Sequence, residues 1–256
     1  MENELVSVIT PMYKGAVFIG ETIQSVQKQT YKKWEMIIVD DASPDGRAGI
    51  NEVKKYAVTD KRIVLVESSV NLGSSGARNV ALRKSKGEYI AFLDADDLWH
   101  PEFLQKQLNF MREKKAILVF SSYRRIDEVT KEEILRPFIV PEKVTYKSLL
   151  KSCAIFPSST LYSRKKYKML FFNEEMGCLR DDYVYWLTMV KDIQCAYGNP
   201  EILADYRMRK TSVSADKKKM IGPQWRVLRK IEKLPWGICI YNICCWGIIS
   251  YFKYRK

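Results

Sequence analysis

Asp94-Ala95-Asp96-Asp97 follows the apolar run Tyr89–Leu93. On extended chain, residues two apart face the same side, so Asp94 and Asp96 can converge on one cation at the end of a buried strand. Carboxylate oxygens suit Mg²⁺ or Mn²⁺, which fill the rest of their shell with water and substrate phosphate. An isolated pair of this kind is more often a solvated acidic turn; its place directly behind an apolar strand favours the metal. Asp97 reads as the cap of the next helix.

Three further segments carry charge where it can do work. Asp40-Asp41 closes the run Trp34–Val39. One acid there suits a turn, and the other, Asp41, suits a base or ribose hydroxyl, as in dinucleotide folds. Asn71, Gly73, Gly76 and Arg78 lie on a loop opening a helix, where anions are favoured. Arg78 can approach a diphosphate or orient the aspartates, although a tight turn explains the glycines equally well. Arg207 and Arg209 end a strand and can clamp a leaving diphosphate, or form an exposed basic turn. Asp181-Asp182 begins an apolar-striped helix, where acids also favour the helix dipole.

The elements that must hold these residues can be read from periodicity. Strand-like runs at 5–10, 34–39, 63–67 and 89–93 alternate with helical patterns near 18–29, 47–58 and 75–84. That alternation implies an α/β fold with a mostly parallel, Rossmann-like sheet flanked by helices. Ligands bind such sheets beyond the carboxyl ends of the strands, so the four loops PMYKG, DDASPDG, NLGSSGARN and DADD share one edge. Beyond Leu98 we expect a helix at 101–114, strands at 118–123 and 160–163, helices at 146–151 and 181–191, and two strands at 194–197 and 202–206. The segment 124–160 otherwise resists assignment. The chain divides into a first half (1–98), a second half of the same domain (99–216) and a helical tail (217–256).

Composition narrows the classes. With 256 residues, 46 % hydrophobic and 29 % charged, a core forms readily. His100 is the only histidine and no Cys-x-x-Cys occurs among the six cysteines, which argues against histidine-ligated zinc. Free thiols and an early first strand suggest a cytoplasmic protein. The net charge is +13, and residues 217–256 supply ten Lys or Arg against Glu232 alone. Such a tail suggests an anionic surface.

The segments VSVITPMYKG (6–15), IIVDDASPDG (37–46), NLGSSGARN (71–79), YIAFLDADDLW (89–99), RDDYVYWL (180–187) and YRMRKTSVS (206–214) together resemble inverting glycosyltransferases of family 2. The chain is similar to bacterial enzymes that build teichuronic acid, capsule or O-antigen chains. The resemblance implies a GT-A fold, a nucleoside pocket lined by Pro11, Tyr13 and Asp41, and a D-x-D metal pair at Asp94 and Asp96. Asn71, Gly73, Arg78, Ala95, Arg207 and Arg209 join the expected nucleotide-sugar contacts. Asp182 matches the family's general base. The chain departs from the common pattern at Lys14 (often Asn), Asp181 (often Glu) and Arg209 (often His). The implied reaction moves a hexose or N-acetylhexosamine from a nucleotide diphosphate sugar, a UDP-sugar being favoured, to a hydroxyl of a lipid-linked glycan, with inversion and with Mn²⁺ or Mg²⁺.

From Leu234 to Phe252 no residue is charged. About 20 residues are needed to span a bilayer, but Pro235, Asn242, two glycines and Ser250 weaken a span. Trp236, Tyr241, Trp246 and Tyr251 suit the lipid interface, and Lys217–Lys219, Arg226, Arg229 and Lys230 can meet anionic lipid. Peripheral attachment to the cytoplasmic face of the membrane is the expectation; packing on the catalytic domain or in a dimer is the alternative. Two rival functions remain. A sugar-phosphate nucleotidyltransferase needs a longer glycine- and basic-rich loop after strand one than PMYKG. A nucleic-acid-binding module rests on charge alone and leaves the acids at 40–41, 94–96 and 181–182 unexplained.

Overall fold

The structure is a computed structural model that describes residues 4–176, 179–209 and 220–253. The Lys217–Lys219 cluster, residues 210–214 and Cys178 lie outside the described residues. Strand β1 (Val6–Met12), helix α1 (Ile19–Gln27), β2 (Trp34–Asp40), α2 (Ala48–Thr59), β3 (Ile63–Glu67), α3 (Gly73–Lys84) and β4 (Tyr89–Phe92) alternate as the periodicity implies. Then come β5 (Leu98–Trp99), α4 (Phe103–Glu113), β6 (Leu118–Asp127), β7 (Glu133–Phe138), β8 (Lys143–Thr145) and α5 (Tyr146–Lys151). The chain closes with β9 (Thr160–Ser163), α6 (Asp181–Ile193), β10 (Cys195–Met208), α7 (Ile221–Arg226) and α8 (Trp236–Lys253).

One mixed sheet runs in the order β3-β2-β1-β4-β9-β6-β10-β5, with β7 on β6 and β8 on β10. The strands β3, β2, β1 and β4 are parallel, and β9 is antiparallel to both β4 and β6. Because successive side chains point to opposite faces, the strands feed two cores. Ile9, Ile37, Ile90 and Phe92 pack with α3 and α6. Val8, Met36, Ile38 and Ala91 pack with α1, α2 and α4. Burial on both faces explains why the strands read as unbroken apolar runs.

Three expectations need correction. The two strands expected at 194–197 and 202–206 are one strand, β10, whose register against β6 slips between Asn199 and Ala204. Pro200 lacks the N–H that a regular ladder needs, so the slip sits where the pattern seemed to break. The unassigned stretch contains β7, which pairs with β6, and β8, which pairs with β10; both are short and of mixed exposure, which blurs their alternation. Asp97 is not a helix cap: α4 starts at Phe103 behind Glu102, and Asp97 is buried elsewhere.

The tail is helical. On α8, Cys239, Asn242 and Trp246 are buried, a spacing of three and four that marks one helix face. That face lies on α5 and α7. Ile238, Ile240, Tyr241, Ile248, Ile249, Tyr251 and Phe252 stay exposed. Among the described residues no helix is long and apolar enough to cross a membrane.

Candidate active site

The carboxyl ends of β1, β2 and β4 release their loops side by side. Met12 pairs with Asp40 at the last step of the β1–β2 register, and Asp41 N–H donates to Met12 O at 2.9 Å. Leu93 N–H reaches Ile9 O at 3.0 Å, so the chain leaves the sheet at Asp94. These loops, the start of α6 and the end of β10 enclose a cleft of about 670 Å³. All the residues expected at the site line it: Pro11, Tyr13, Asp41, Asn71, Gly73, Arg78, Asp94, Ala95, Asp96, Asp182, Arg207 and Arg209.

The nucleotide end is braced by its own acids. Asp40 Oδ2 accepts the Ser43 N–H at 3.2 Å, an Asx-type turn. Asp41 Oδ1 accepts the Leu72 N–H at 2.7 Å, and Asn71 Nδ2 donates to Asp41 O at 3.0 Å. Burial pushes the Asp41 carboxyl up, against the pull of the Leu72 and Gly73 amides. Asp41 therefore ties the glycine loop to β2 while it lines the cleft. Gly73 takes φ +72° at the first position of α3, a conformation glycine adopts without penalty.

The D-x-D loop is fixed from behind. Ser158 Oγ accepts the Asp94 N–H at 3.0 Å and donates to Asp97 Oδ2 at 2.5 Å. Thr22 Oγ1 donates to the carbonyls of Ala95 and Asp97, both at 2.9 Å. Asp97 Oδ1 also takes the Arg207 N–H at 3.0 Å, which joins β10 to the loop. Burial, then the neighbouring Asp96 and Asp94, push Asp97 well above the usual carboxylate range. Ser158 and Thr22 carry no sequence signal of this role, since the contacts span 61 to 75 residues of chain.

Arginines meet both carboxylates of the D-x-D pair. Arg78 Nη2 donates to Asp94 Oδ1 at 2.6 Å, and Arg209 Nη1 to Asp96 Oδ2 at 2.8 Å. Both aspartates keep about a quarter of their side-chain surface open, 27 % and 26 %, so each can still offer oxygen to a cation. Among the described residues no three His, Cys, Asp or Glu side chains gather into a metal cage. A cation here would draw on phosphate oxygens, which fits Mg²⁺ or Mn²⁺. Arg207 is engaged otherwise: Nε donates to Asp96 O at 2.8 Å and Nη2 to Glu21 Oε2 at 2.8 Å, with only 2 % of its side chain exposed. It buttresses the loop rather than facing the cleft with a free fork.

The two acids of α6 separate sharply. Asp181 Oδ2 accepts from Ser74 Oγ (2.9 Å), Ser75 Oγ (3.0 Å) and Arg78 Nη1 (3.1 Å). Among the described residues Asp182 accepts only the Tyr183 N–H, at 2.8 Å. Burial, then the charge of Asp181, push the Asp182 carboxyl up to about 6, with Arg180 opposing. Of the pair, Asp182 is the carboxylate free to take a proton near neutral pH.

The far wall is largely aromatic and apolar. Tyr123, Phe156 and Tyr206 pack together at 4.8–6.3 Å between ring centroids. They join Cys153–Pro157, Leu179, Arg180 and Met220 around the cleft. These residues come from β6, β10, the loop before β9 and the starts of α6 and α7, so no local pattern announces them as one wall.

A mixed sheet whose loops gather a D-x-D pair and a raised carboxylate, Asp182, in one cleft is the plan of a GT-A sugar transferase, and the chain belongs to glycosyl transferase family 2, whose model matches residues 7–171. Its relatives include bacterial glycosyltransferases of surface-glycan synthesis. It is 38 % identical over 253 residues to TuaG of Bacillus subtilis (strain 168), assigned as a teichuronic acid biosynthesis glycosyltransferase, covering 97 % of this chain and 95 % of TuaG. It is 34 % identical over 267 residues to WfgD of Escherichia coli, a UDP-Glc:alpha-D-GlcNAc-diphosphoundecaprenol beta-1,3-glucosyltransferase, covering 100 % and 99 %. The fold matches that of the mannosyltransferase PcManGT from Pyrobaculum calidifontis, solved with GDP-Man and Mn²⁺. There the TM-score is 0.67 at 19 % identity, over 98 % of this chain and 76 % of that one.

Proposed function

We propose that this glycosyltransferase moves a hexose or N-acetylhexosamine from a UDP-sugar to a hydroxyl of a lipid-diphosphate-linked glycan, with inversion and with a divalent cation on Asp94 and Asp96. One observation carries the reading: a carboxylate raised to about 6, Asp182, shares a cleft with the Asp94/Asp96 pair. The names of the relatives support the substrate classes, since WfgD uses UDP-Glc and a diphosphoundecaprenol acceptor.

Pro11, Tyr13 and Asp41 line the nucleoside end. Asp94 and Asp96 would hold the cation, which when bound supplies Lewis-acid neutralisation of the leaving diphosphate. Asp182 accepts the proton of the acceptor hydroxyl. The hydroxyl oxygen attacks the anomeric carbon from the side opposite the diphosphate. The new glycosidic bond forms as the old C–O bond breaks, and UDP departs with its electron pair. A single displacement turns an α-linked donor into a β-glycoside.

The donor and metal reading is tested by thermal denaturation. UDP with Mn²⁺ raises the midpoint, GDP and CMP raise it less, and chelator removes the UDP effect. A ligand present at ~100 times its Kd adds roughly 2.7 kcal/mol, which is readily seen. A UDP shift of equal size in wild type and Asp94→Ala, with or without metal, would sink the metal assignment.

The exposed face of α8 supports attachment to a bilayer. Its apolar and aromatic side chains face outward, from Trp236 at 64 % exposure to Phe252 at 65 %. Exposed Arg226, Lys230 and Lys233 lie just before it, which suits anionic headgroups. Such docking brings a cytoplasmic-face enzyme to a lipid-linked acceptor. Full-length protein is expected to float with phosphatidylglycerol-containing vesicles at low salt. The double variant Ile240→Glu/Ile248→Glu, changed at exposed positions, stays behind. Wild-type protein that remains unbound at low salt overturns the attachment.

A further inference from the structure

Four arginines line the cleft, and three of them have carboxylate partners: Arg78 with Asp94 and Asp181, Arg207 with Glu21, and Arg209 with Asp96. Arg180 is the exception. Among the described residues its guanidinium makes no ion pair, and its buried Nε has no hydrogen-bond partner. It is held by aromatic faces instead, 5.6 Å from the Tyr183 ring centroid and 5.1 Å from that of Trp246 on α8. Its backbone sits in the left-handed region at φ 68°, ψ 15°, which is unfavourable for a side chain with a Cβ. A partly buried cation that lines the cleft with no direct ion-pair partner among the described residues, on a left-handed backbone, is poised for an anion that arrives with a ligand.

The surroundings indicate which ligand. Arg180 is two residues before Asp182, and its charge reaches that carboxylate. It is therefore on the base's side of the cleft, where the acceptor hydroxyl must come. A second, smaller cavity shares Leu179 with the cleft and continues along Gly222 and Pro223 to Arg226. Beyond it stands α8, whose inner face is pinned to Arg180 through Trp246 and whose outer face is apolar and exposed. The path thus runs from base, to unpaired arginine, to a second arginine, to an apolar helix face. A glycosyl diphosphate lipid has the same order of chemistry: sugar hydroxyl, diphosphate, hydrocarbon.

We propose that Arg180, with Arg226 farther along the groove, binds the diphosphate of the lipid-linked acceptor and so sets the acceptor hydroxyl against Asp182. This rests on the acceptor class proposed above. The bidentate fork of an arginine suits phosphate oxygens, and stacking on Trp246 and Tyr183 fixes its plane beforehand. The same contacts join the membrane-facing helix to the residue next to the base pair, so the acceptor's phosphate is met where lipid and active site adjoin.

The test is calorimetric binding of two probes to full-length protein with UDP and Mn²⁺ present in saturating amounts, so that the donor's phosphate sites are filled. One probe is N-acetylglucosaminyl diphosphate on a short prenyl chain; the other is a neutral alkyl N-acetylglucosaminide of similar length. Arg180→Gln is expected to weaken the diphosphate probe roughly 10- to 100-fold, the effect of losing a charge-assisted contact. Binding of the neutral glycoside and of UDP should not change, and Arg180→Lys should recover part of the loss. Equal weakening of both probes, or weakened UDP binding, overturns the subsite. Unchanged diphosphate binding in Arg180→Gln overturns it as well, while leaving the acceptor class intact. Wild-type protein that binds UDP but never the diphosphate probe overturns both.

Discussion

Replacing Asp182 by Asn is expected to lower turnover by ~10²–10⁴-fold, the usual contribution of a positioned general base, while UDP binding and the fold persist. The geometry distinguishes it from its neighbour. Asp181 is occupied by Ser74, Ser75 and Arg78, whereas among the described residues Asp182 accepts only the adjacent Tyr183 N–H. Asp181→Asn should therefore lower the melting temperature as well as activity, because it breaks a buried network. Asp182→Asn should do the reverse to stability. Near-normal turnover in a folded Asp182→Asn protein would remove Asp182 from the mechanism.

The pH dependence follows from the same carboxyl. As the proposed base, Asp182 must be ionised, and burial with the charge of Asp181 pushes its carboxyl up to about 6. The acid limb of kcat/KM should thus bend near pH 6 and fall about tenfold per unit below it. The sign for stability is opposite to that of a salt-bridged acid. Because the folded pKa is raised above the ordinary 3.8, the folded protein binds the proton more tightly than the unfolded chain. Stability from this group is present at low pH and is lost as pH rises through the window from 3.8 to about 6. Asp182→Asn should therefore melt higher than wild type at pH 8, and the gain should vanish near pH 4. A variant that melts lower than wild type at pH 8 would show that the carboxylate is not strained by its site.

Much of the site was legible because its elements are local. Tyr89–Leu93 is an apolar run followed by acids, and Asn71–Asn79 is a glycine-bearing turn into a helix; each carries its meaning within a dozen residues. The edge shared by their loops followed from parallel topology alone. What stayed hidden depends on long-range contact. Nothing near Ser158 says that its hydroxyl will hold Asp94 and Asp97, 61 to 64 residues away. Nor can a D-D pair say which acid will be tied up, since that is decided by Ser74, Ser75 and Arg78 more than a hundred residues earlier. The β10 slip at Pro200 was visible as a break but not as a continuing strand. Continuity there is imposed by β6, with which β10 pairs as far as Met208.

Arg78→Ala is expected to be the most disruptive single change in the cleft. The guanidinium, 7 % exposed, bridges Asp94 at 2.6 Å and Asp181 at 3.1 Å. Burial works against its charge, but the two aspartates outweigh that and hold its pKa up. Removing one partner of a buried ion pair typically costs 3–5 kcal/mol, because the remaining charge is stranded. Here two carboxylates are stranded at once, Asp94 on the D-x-D loop and Asp181 at the start of α6. The loss should be large at pH 7–8. Arg78→Lys keeps the charge but is a point donor that cannot span both acids. It should therefore recover stability more than activity, and the UDP–Mn²⁺ thermal shift should stay weak because Asp94 has lost its orienting fork. An Arg78→Ala protein that melts like wild type at pH 8 would mean that Asp94 and Asp181 are positioned independently. Metal loop and base helix would then not be coupled through this side chain, and their shared geometry would have to come from the β4 and α6 packing around Phe92 and Trp186 alone.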